Sequence, residues 1–239
     1  MTPAGKISLK TKKIFHELDF LAEDPELTKS VRDCVEAQKT ACSNKLSQIF
    51  KPCPEAVREV SPEALEQILA SGKAVNGIRT EREISNVLVF NDPRYEFAVL
   101  SDEISETRKK LDQLVREKVR ELFTEGERFD VQSSGFFLYP PQGFMGWHTN
   151  WKNPGWRLYI NYTEEPGKSF FRYRDTDTRQ VITSVDKRLN FRLFRASKKN
   201  PFWHTIYSET YRYSLGYKII EPPGLLSRLR RALSLRAGF

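Results

Sequence analysis

From Gly126 onward the chain is written in short aromatic and β-branched runs, and this succession constrains the fold more than any other feature. Turn-forming clusters such as Asn153-Pro154-Gly155 and Glu164-Glu165-Pro166-Gly167 separate the runs, which therefore read as strands. They fall near 131–139, 156–163, 168–174, 179–184, 188–196, 202–207 and 210–220. Together they would make a double-stranded β-helix, a cupin-like jelly-roll sandwich.

Upstream, the chain reads mainly as helix. Residues 30–50 carry Val31, Cys34, Val35, Leu46 and Ile49 at loosely helical spacing, and Lys51-Pro52-Cys53-Pro54 ends the stretch. Ser61-Pro62 offers an N-cap with proline at the first helical position, followed by Leu65, Ile68 and Leu69, with Gly72 as the stop. Residues 87–90 suit a short strand. Residues 102–123 give the strongest helix, because Ile104, Leu111, Leu114, Val115, Val119, Leu122 and Phe123 form one apolar stripe. The expected class is α+β with a mainly β core. A helical region at 1–125 packs on a core at 126–221, and a tail follows at 222–239. In that tail Leu225, Leu229 and Leu233 recur among Arg228, Arg230, Arg231 and Arg236, the pattern of a basic amphipathic helix. Such a helix packs on the protein itself or another subunit, or meets an anionic membrane surface or an acidic partner.

With 16 Phe, 9 Tyr and 4 Trp in 239 residues, material for a single core is ample. The formal charge is +8, but residues 224–239 hold four arginines and no acid, so about half of the excess sits in the tail. The charge therefore does not argue for nucleic acid as a partner. Basic-aromatic stretches near 170–174 and 192–199 are equally normal for exposed sheet. Cys34, Cys42 and Cys53 are odd in number and lack paired short spacing, which favours reduced thiols over a disulfide frame or a zinc site. The first thirteen residues are polar and basic, and no run approaches the ~18 apolar residues of a membrane span. A cytoplasmic protein is the expectation.

Two of the three histidines, His148 and His204, are the candidates for chemistry. His148 and Asn150 fit a strand end that presents both side chains on one face, since residues i and i+2 point the same way. Arg212 and Ser214 share a strand face in the same manner and could hold a carboxylate. A guanidinium suits that role because its fixed donors meet both carboxylate oxygens at once. Two imidazoles and one oxygen group match the three-sided metal arrangement of non-haem Fe(II) oxygenases.

Residues from about 130 to 221 resemble the Fe(II)/2-oxoglutarate-dependent dioxygenase superfamily, and within it its prolyl-4-hydroxylase-like branch. Tyr139 precedes His148 by nine residues with Gly143 between them, and Arg157-Leu158-Tyr159-Ile160-Asn161-Tyr162 resembles the next core strand. Gly167-Lys168-Ser169-Phe170-Phe171, then Asn190-Phe191-Arg192-Leu193-Phe194 and Phe202-Trp203-His204, follow in the order of that branch. The resemblance implies Fe(II) on His148 and His204, with Asn150 at the third position. It also implies 2-oxoglutarate on Arg212 and Ser214 with Tyr139 as a further donor, O2 as the oxidant, and a helix such as 102–123 buttressing one sheet. The reaction implied is hydroxylation of an unactivated carbon of an amino acid, a peptide or protein side chain, or a small metabolite.

The family's usual metal-binding acid is absent, since residue 150 is asparagine. Its amide oxygen ligates iron, or water fills that position, or the metal site is degenerate; in the last case the chain is a jelly-roll binding protein without catalysis. Asparagine is nearly isosteric with aspartate and leaves no space for a halide, which disfavours halogenation. Other readings stay open residue by residue. The two histidines could be core residues, Arg212 could pair with Glu209 or Glu221, and Tyr139 could simply pack. Arg157 points inward to an anionic group of substrate or cosubstrate, or outward to solvent. Trp147, Trp151 and Trp156 form a pocket mouth that touches substrate, or belong to the sandwich core. His16 is expected at the surface.

Overall fold

Alternation along three neighbouring strands sorts this protein into layers. In the computed structural model, residues 6–42, 46, 51, 53–71, 87–94 and 98–222 are described, together with the backbone of 74–75, 78–79 and 84–85. The tail helix expected beyond 222 and the stop at Gly72 lie outside the described residues. Strands β9 (Gly155–Thr163), β12 (Leu189–Ala196) and β14 (Arg212–Ile220) lie side by side and antiparallel in a seven-stranded sheet. The remaining strands of that sheet are β1 (Phe15–Glu17), β5 (Leu88–Phe90), β6 (Ala98–Val99) and β7 (Asp130–Tyr139), in the order β1-β12-β9-β14-β7-β5-β6. The second sheet is five-stranded, β11-β10-β13-β8-β4. It contains β4 (Ile84–Ser85), β8 (Gly143–His148), β10 (Ser169–Arg174), β11 (Val181–Val185) and β13 (His204–Ser208). A separate hairpin pairs β2 (Ala74–Val75) with β3 (Ile78–Arg79).

Trp156, Leu158 and Ile160 of β9, Leu189, Phe191 and Leu193 of β12, and Tyr213, Leu215 and Tyr217 of β14 enter one apolar cluster. That cluster is completed by α1 (Pro25–Cys42) and by the helix of residues 102–122, which cover the outer face of the large sheet. The intervening residues face the other sheet across a second cluster, where Tyr139 and Phe194 of the large sheet meet Met145, Phe171, Tyr173 and Ile206 of the small one. Two short helices, α2 (Ala56–Glu59) and α3 (Pro62–Ala70), cover the outer face of the small sheet. The protein is thus a mainly β, two-sheet sandwich with helices outside both faces.

The two best-marked helices start as their sequences dictate. Ser61 caps α3, its Oγ accepting from Ala64 N at 3.1 Å with Pro62 at the first position. Ser101 caps α4 (Asp102–Leu122), accepting from Ile104 N at 3.3 Å, and Asp102 and Glu103 lie in the first turn where the helix dipole favours acids. The strand boundaries expected from sequence agree with those found to within a few residues. Two differences matter. Residues 143–148 form a strand that was not among the expected runs, because Gly143 and Gly146 dilute its apolar signal. The region before 126 also supplies strands, including β1, whose His16 is half-buried beside Trp156 instead of lying at the surface.

Leu111 sits fully buried at the centre of the α4 stripe. Leu111→Ala is expected to lower unfolding free energy by about 2–5 kcal/mol, measurable by urea titration, whereas an unchanged midpoint would mean that α4 does not cover the sheet.

Candidate active site

The sheet register brings the two distant histidines together. His148 ends β8, His204 begins β13, and the two are direct cross-strand partners. Their ring centroids lie 4.1 Å apart, and both residues are buried. Each Nδ1 meets a backbone carbonyl, Gly146 O at 2.7 Å for His148 and Phe202 O at 3.0 Å for His204. A neutral ring bonded this way carries its proton on Nδ1 and its lone pair on Nε2, the tautomer suited to metal ligation. Phe171, Phe194 and Phe202 wall His204 with centroids at 5.4, 5.1 and 5.6 Å.

Asn150 lies past the end of β8, so the expectation that it shares a strand face with His148 is corrected. It nevertheless reaches the pair: its Nδ2 is 3.2 Å from His204 Nε2 and 3.5 Å from the Tyr159 hydroxyl. Amide nitrogen and oxygen exchange places by a half-turn. Ligands at right angles on a metal with bonds of about 2.1 Å stand about 3 Å apart, so the spacing suits either a direct hydrogen bond or joint coordination. Among the described residues no cluster of three His, Cys, Asp or Glu side chains could hold a metal. The donor set is two imidazoles and an amide, which fits a divalent transition metal with open positions.

Arg212 is fully buried, and its partner is neither Glu209 nor Glu221. Its Nε donates to Asp186 Oδ2 at 2.7 Å, while Nη1 and Nη2 are buried with no acceptor. Asp186 also accepts from Arg192 Nη1 and from Ser169 Oγ at 2.6 Å. Burial works to raise its carboxyl, but the Arg212 and Arg192 guanidinium groups, with the Ser169 hydroxyl, outweigh it and hold the group below the usual carboxylate range. Ser214, on the same face as Arg212, accepts from Asn161 Nδ2 at 2.9 Å. The Tyr139 ring lies 5.4 Å from the Arg212 guanidinium carbon, and its hydroxyl is 4.0 Å from Met145 Sδ. A cavity of about 20 Å³ touches His148, Tyr139, Met145 and Ser214. Beside it the β7–β14 pairing bulges at Gly216, where an added Cβ would stand 2.9 Å from Ser134 O. Only glycine permits that approach.

Arg157 points inward, with Nη2 donating to Asn153 O at 2.8 Å. Trp147, expected at the pocket mouth, is on the opposite side of β8, packed on Leu65 and Trp203 with Nε1 donating to Ser61 O at 2.7 Å. Trp156 likewise belongs to the outer core, donating to Leu9 O at 3.0 Å. Trp151 lies under the Lys198 ammonium at 6.0 Å. Sequence reasoning missed Asp186 and the role of Arg192. The available signal was indirect: a buried arginine needs a counter-ion, but nothing local marks which acid supplies it.

No family model and no curated protein matches the chain. Solved structures do. A prolyl-4-hydroxylase from Pseudomonas putida is 12% identical with a TM-score of 0.44, the match covering 88% of this chain and 94% of that one. A prolyl hydroxylase from Trichoplax adhaerens, in complex with a hypoxia inducible factor oxygen degradation domain peptide fragment, is 14% identical with a TM-score of 0.44, covering 93% and 88%. A 2OG-Fe(II) oxygenase family oxidoreductase from Burkholderia pseudomallei is 13% identical with a TM-score of 0.41, covering 70% and 82%. Similarity at this level assigns neither residues nor activity.

Because the folded-state carboxyl of Asp186 titrates below its unfolded value, its stabilisation is present above the unfolded pKa and lost as pH falls through the folded one. Asp186→Asn takes the shared buried carboxylate from two buried guanidinium groups, leaving Arg212 with no counter-charge and Arg192 with Glu17 at 3.7 Å. It should cost about 3–5 kcal/mol at neutral pH, with the gap to the parent protein narrowing below about pH 4. Equal stability of the two at pH 7 would show that the carboxylate is not paired.

Proposed function

We propose that this chain is a non-haem Fe(II)/2-oxoglutarate-dependent oxygenase. Its core would be a double-stranded β-helix at 126–221, with the region of 1–125 packed on it. One observation carries the reading: two buried imidazoles, each bonded through Nδ1 to a backbone carbonyl, share the sandwich interior with a buried guanidinium whose terminal amines have no acceptor. His148 and His204 would hold Fe(II) through Nε2, and Asn150 would contribute its amide oxygen or support a water. Bound iron with 2-oxoglutarate and O2 supplies the oxidising power that an unactivated C–H bond demands.

The chain's own residues do the rest. Arg212 offers a two-pronged donor to the far carboxylate of 2-oxoglutarate, with Ser214 and Tyr139 alongside. Asp186 lies between Arg192 and Arg212, with Glu17 Oε1 3.7 Å from Arg192 Nε, so the Arg212 terminal amines are the donors an incoming carboxylate would meet. The aromatic wall around His204 keeps water from the reacting atoms. A cavity of about 20 Å³ admits a water but not a five-carbon diacid, so side chains must shift, and unbranched Met145 is the most adaptable. The substrate would be a small molecule or a peptide, hydroxylated at carbon.

A second reading, a jelly-roll binding protein without metal, is favoured by the Asn150 amide nitrogen facing His204 Nε2 at 3.2 Å. Anaerobic Fe(II) titration and conversion of 2-oxoglutarate to succinate separate the two. Iron-dependent succinate formation, abolished by His148→Ala and by His204→Ala, is expected; a protein that binds no iron and makes no succinate is a binder. Asn150→Asp should tighten Fe(II) binding, and unchanged affinity would put residue 150 outside the coordination sphere. Arg212→Gln should weaken 2-oxoglutarate binding roughly 100-fold, as loss of two charged hydrogen bonds implies, and an unaltered KM would move the cosubstrate elsewhere.

A further inference from the structure

Arg157 on β9 and Lys218 on β14 are direct cross-strand partners on the inner face of the large sheet. Arg157 is 5% exposed, and its Nε is buried without an acceptor. Its polar contact is the Asn153 carbonyl. Lys218 is half-buried, and burial together with the Arg157 charge lowers its ammonium from the ordinary lysine value. Like charges at facing positions repel, and an inward guanidinium without a counter-ion is costly. Among the described residues neither cation has a carboxylate partner. Of the other cations on the same groove, Arg94 pairs with Asp92 at 2.6 Å and Arg108 with Asp112 at 2.7 Å, and Lys109 sits on the exposed helix side.

The groove has a volume of about 760 Å³ and runs from this pair to Asn150 and Tyr159. Tyr159 follows Arg157 by two residues on β9, which on a strand is about 7 Å, and its hydroxyl lies 3.5 Å from the Asn150 amide. The uncompensated charge therefore stands one side chain away from the candidate metal position, on the open side of the sandwich. Arg212 cannot serve the same ligand group, since it lies at the opposite end of β14.

We propose that Arg157 and Lys218 form a binding site for an oxyanion carried by the substrate, a carboxylate or a phosphate. The carbon to be oxidised then lies about 7 Å further in, beside Asn150. The location of the reacting carbon rests on the oxygenase reading, whereas the anion site does not. Within the substrate classes open to such an enzyme, this selects molecules that present a negative charge close to the reacting carbon. It excludes neutral and cationic ones.

The test uses the full chain without iron. The ¹⁵N–¹H Nε signal of Arg157, assigned by its loss in Arg157→Gln, is followed during titration with N-acetylglycine, with its uncharged analogue N-acetylglycinamide, and with inorganic phosphate. The expected result is a saturable shift with one or both anions and none with the amide. Whichever anion binds more tightly identifies the oxyanion. Lys218→Gln, a half-exposed position that should not disturb folding, weakens that binding up to about 5-fold. Equal response to acid and amide, no response to either anion, or identical affinity in Lys218→Gln overturns the proposal. A failure of iron binding in the separate metal titration would remove the oxygenase reading and leave the anion result standing.

Discussion

The seven-stranded sheet is buried on both faces, and that constraint governs the rest of the molecule. One face meets helices and is mainly apolar, with Leu158, Ile160 and Leu215 against α1 and α4. The other faces a second sheet and carries Arg157, Tyr159 and Asn161 on β9, Asn190 and Arg192 on β12, and Arg212, Ser214 and Lys218 on β14. Polar groups taken out of water must satisfy one another or a ligand. At the deep end Asp186 and Asn161 tie most of them together and leave the Arg212 terminal amines over; near the mouth Arg157 Nε is left over.

Asp186 is what makes the deep end possible. A single carboxylate with no exposed side-chain surface bridges two guanidinium groups and accepts a hydroxyl as well. By engaging Arg212 through Nε it fixes the plane of that group and directs its two terminal amines to the one side where protein supplies no acceptor. An orphaned buried donor is costly, and an anion seated against these amines would remove that cost.

The histidine pair obeys the same logic. Backbone carbonyls of Gly146 and Phe202 orient both rings and choose their tautomer, so that no carboxylate is needed behind either. At position 150 an amide brings no negative charge to the pair, where an aspartate would. The reading of Asn150 turns on which of its two atoms faces His204, and that choice decides between a ligand and a cap.

Much of the candidate site was legible in the sequence, because His148, His204, Arg212 and Ser214 sit at strand positions whose alternation fixes which way they point. The helices at 62–70 and 102–122 were equally legible from caps and apolar stripes, which are local properties. Asp186 was not, since pairing across 26 residues to Arg212 leaves no local trace. Trp147 was misread because an aromatic residue beside a candidate ligand has no mark of which face it takes; its neighbour His148 faces the cavity, so it must face α3. The sequence alone determined the β class of the core, most of its strands, and the residue types available for chemistry. Tertiary structure alone decided which distant side chains meet and which charges remain unbalanced, because contact between remote strands and the accounting of buried charge exist only once the sheets are paired.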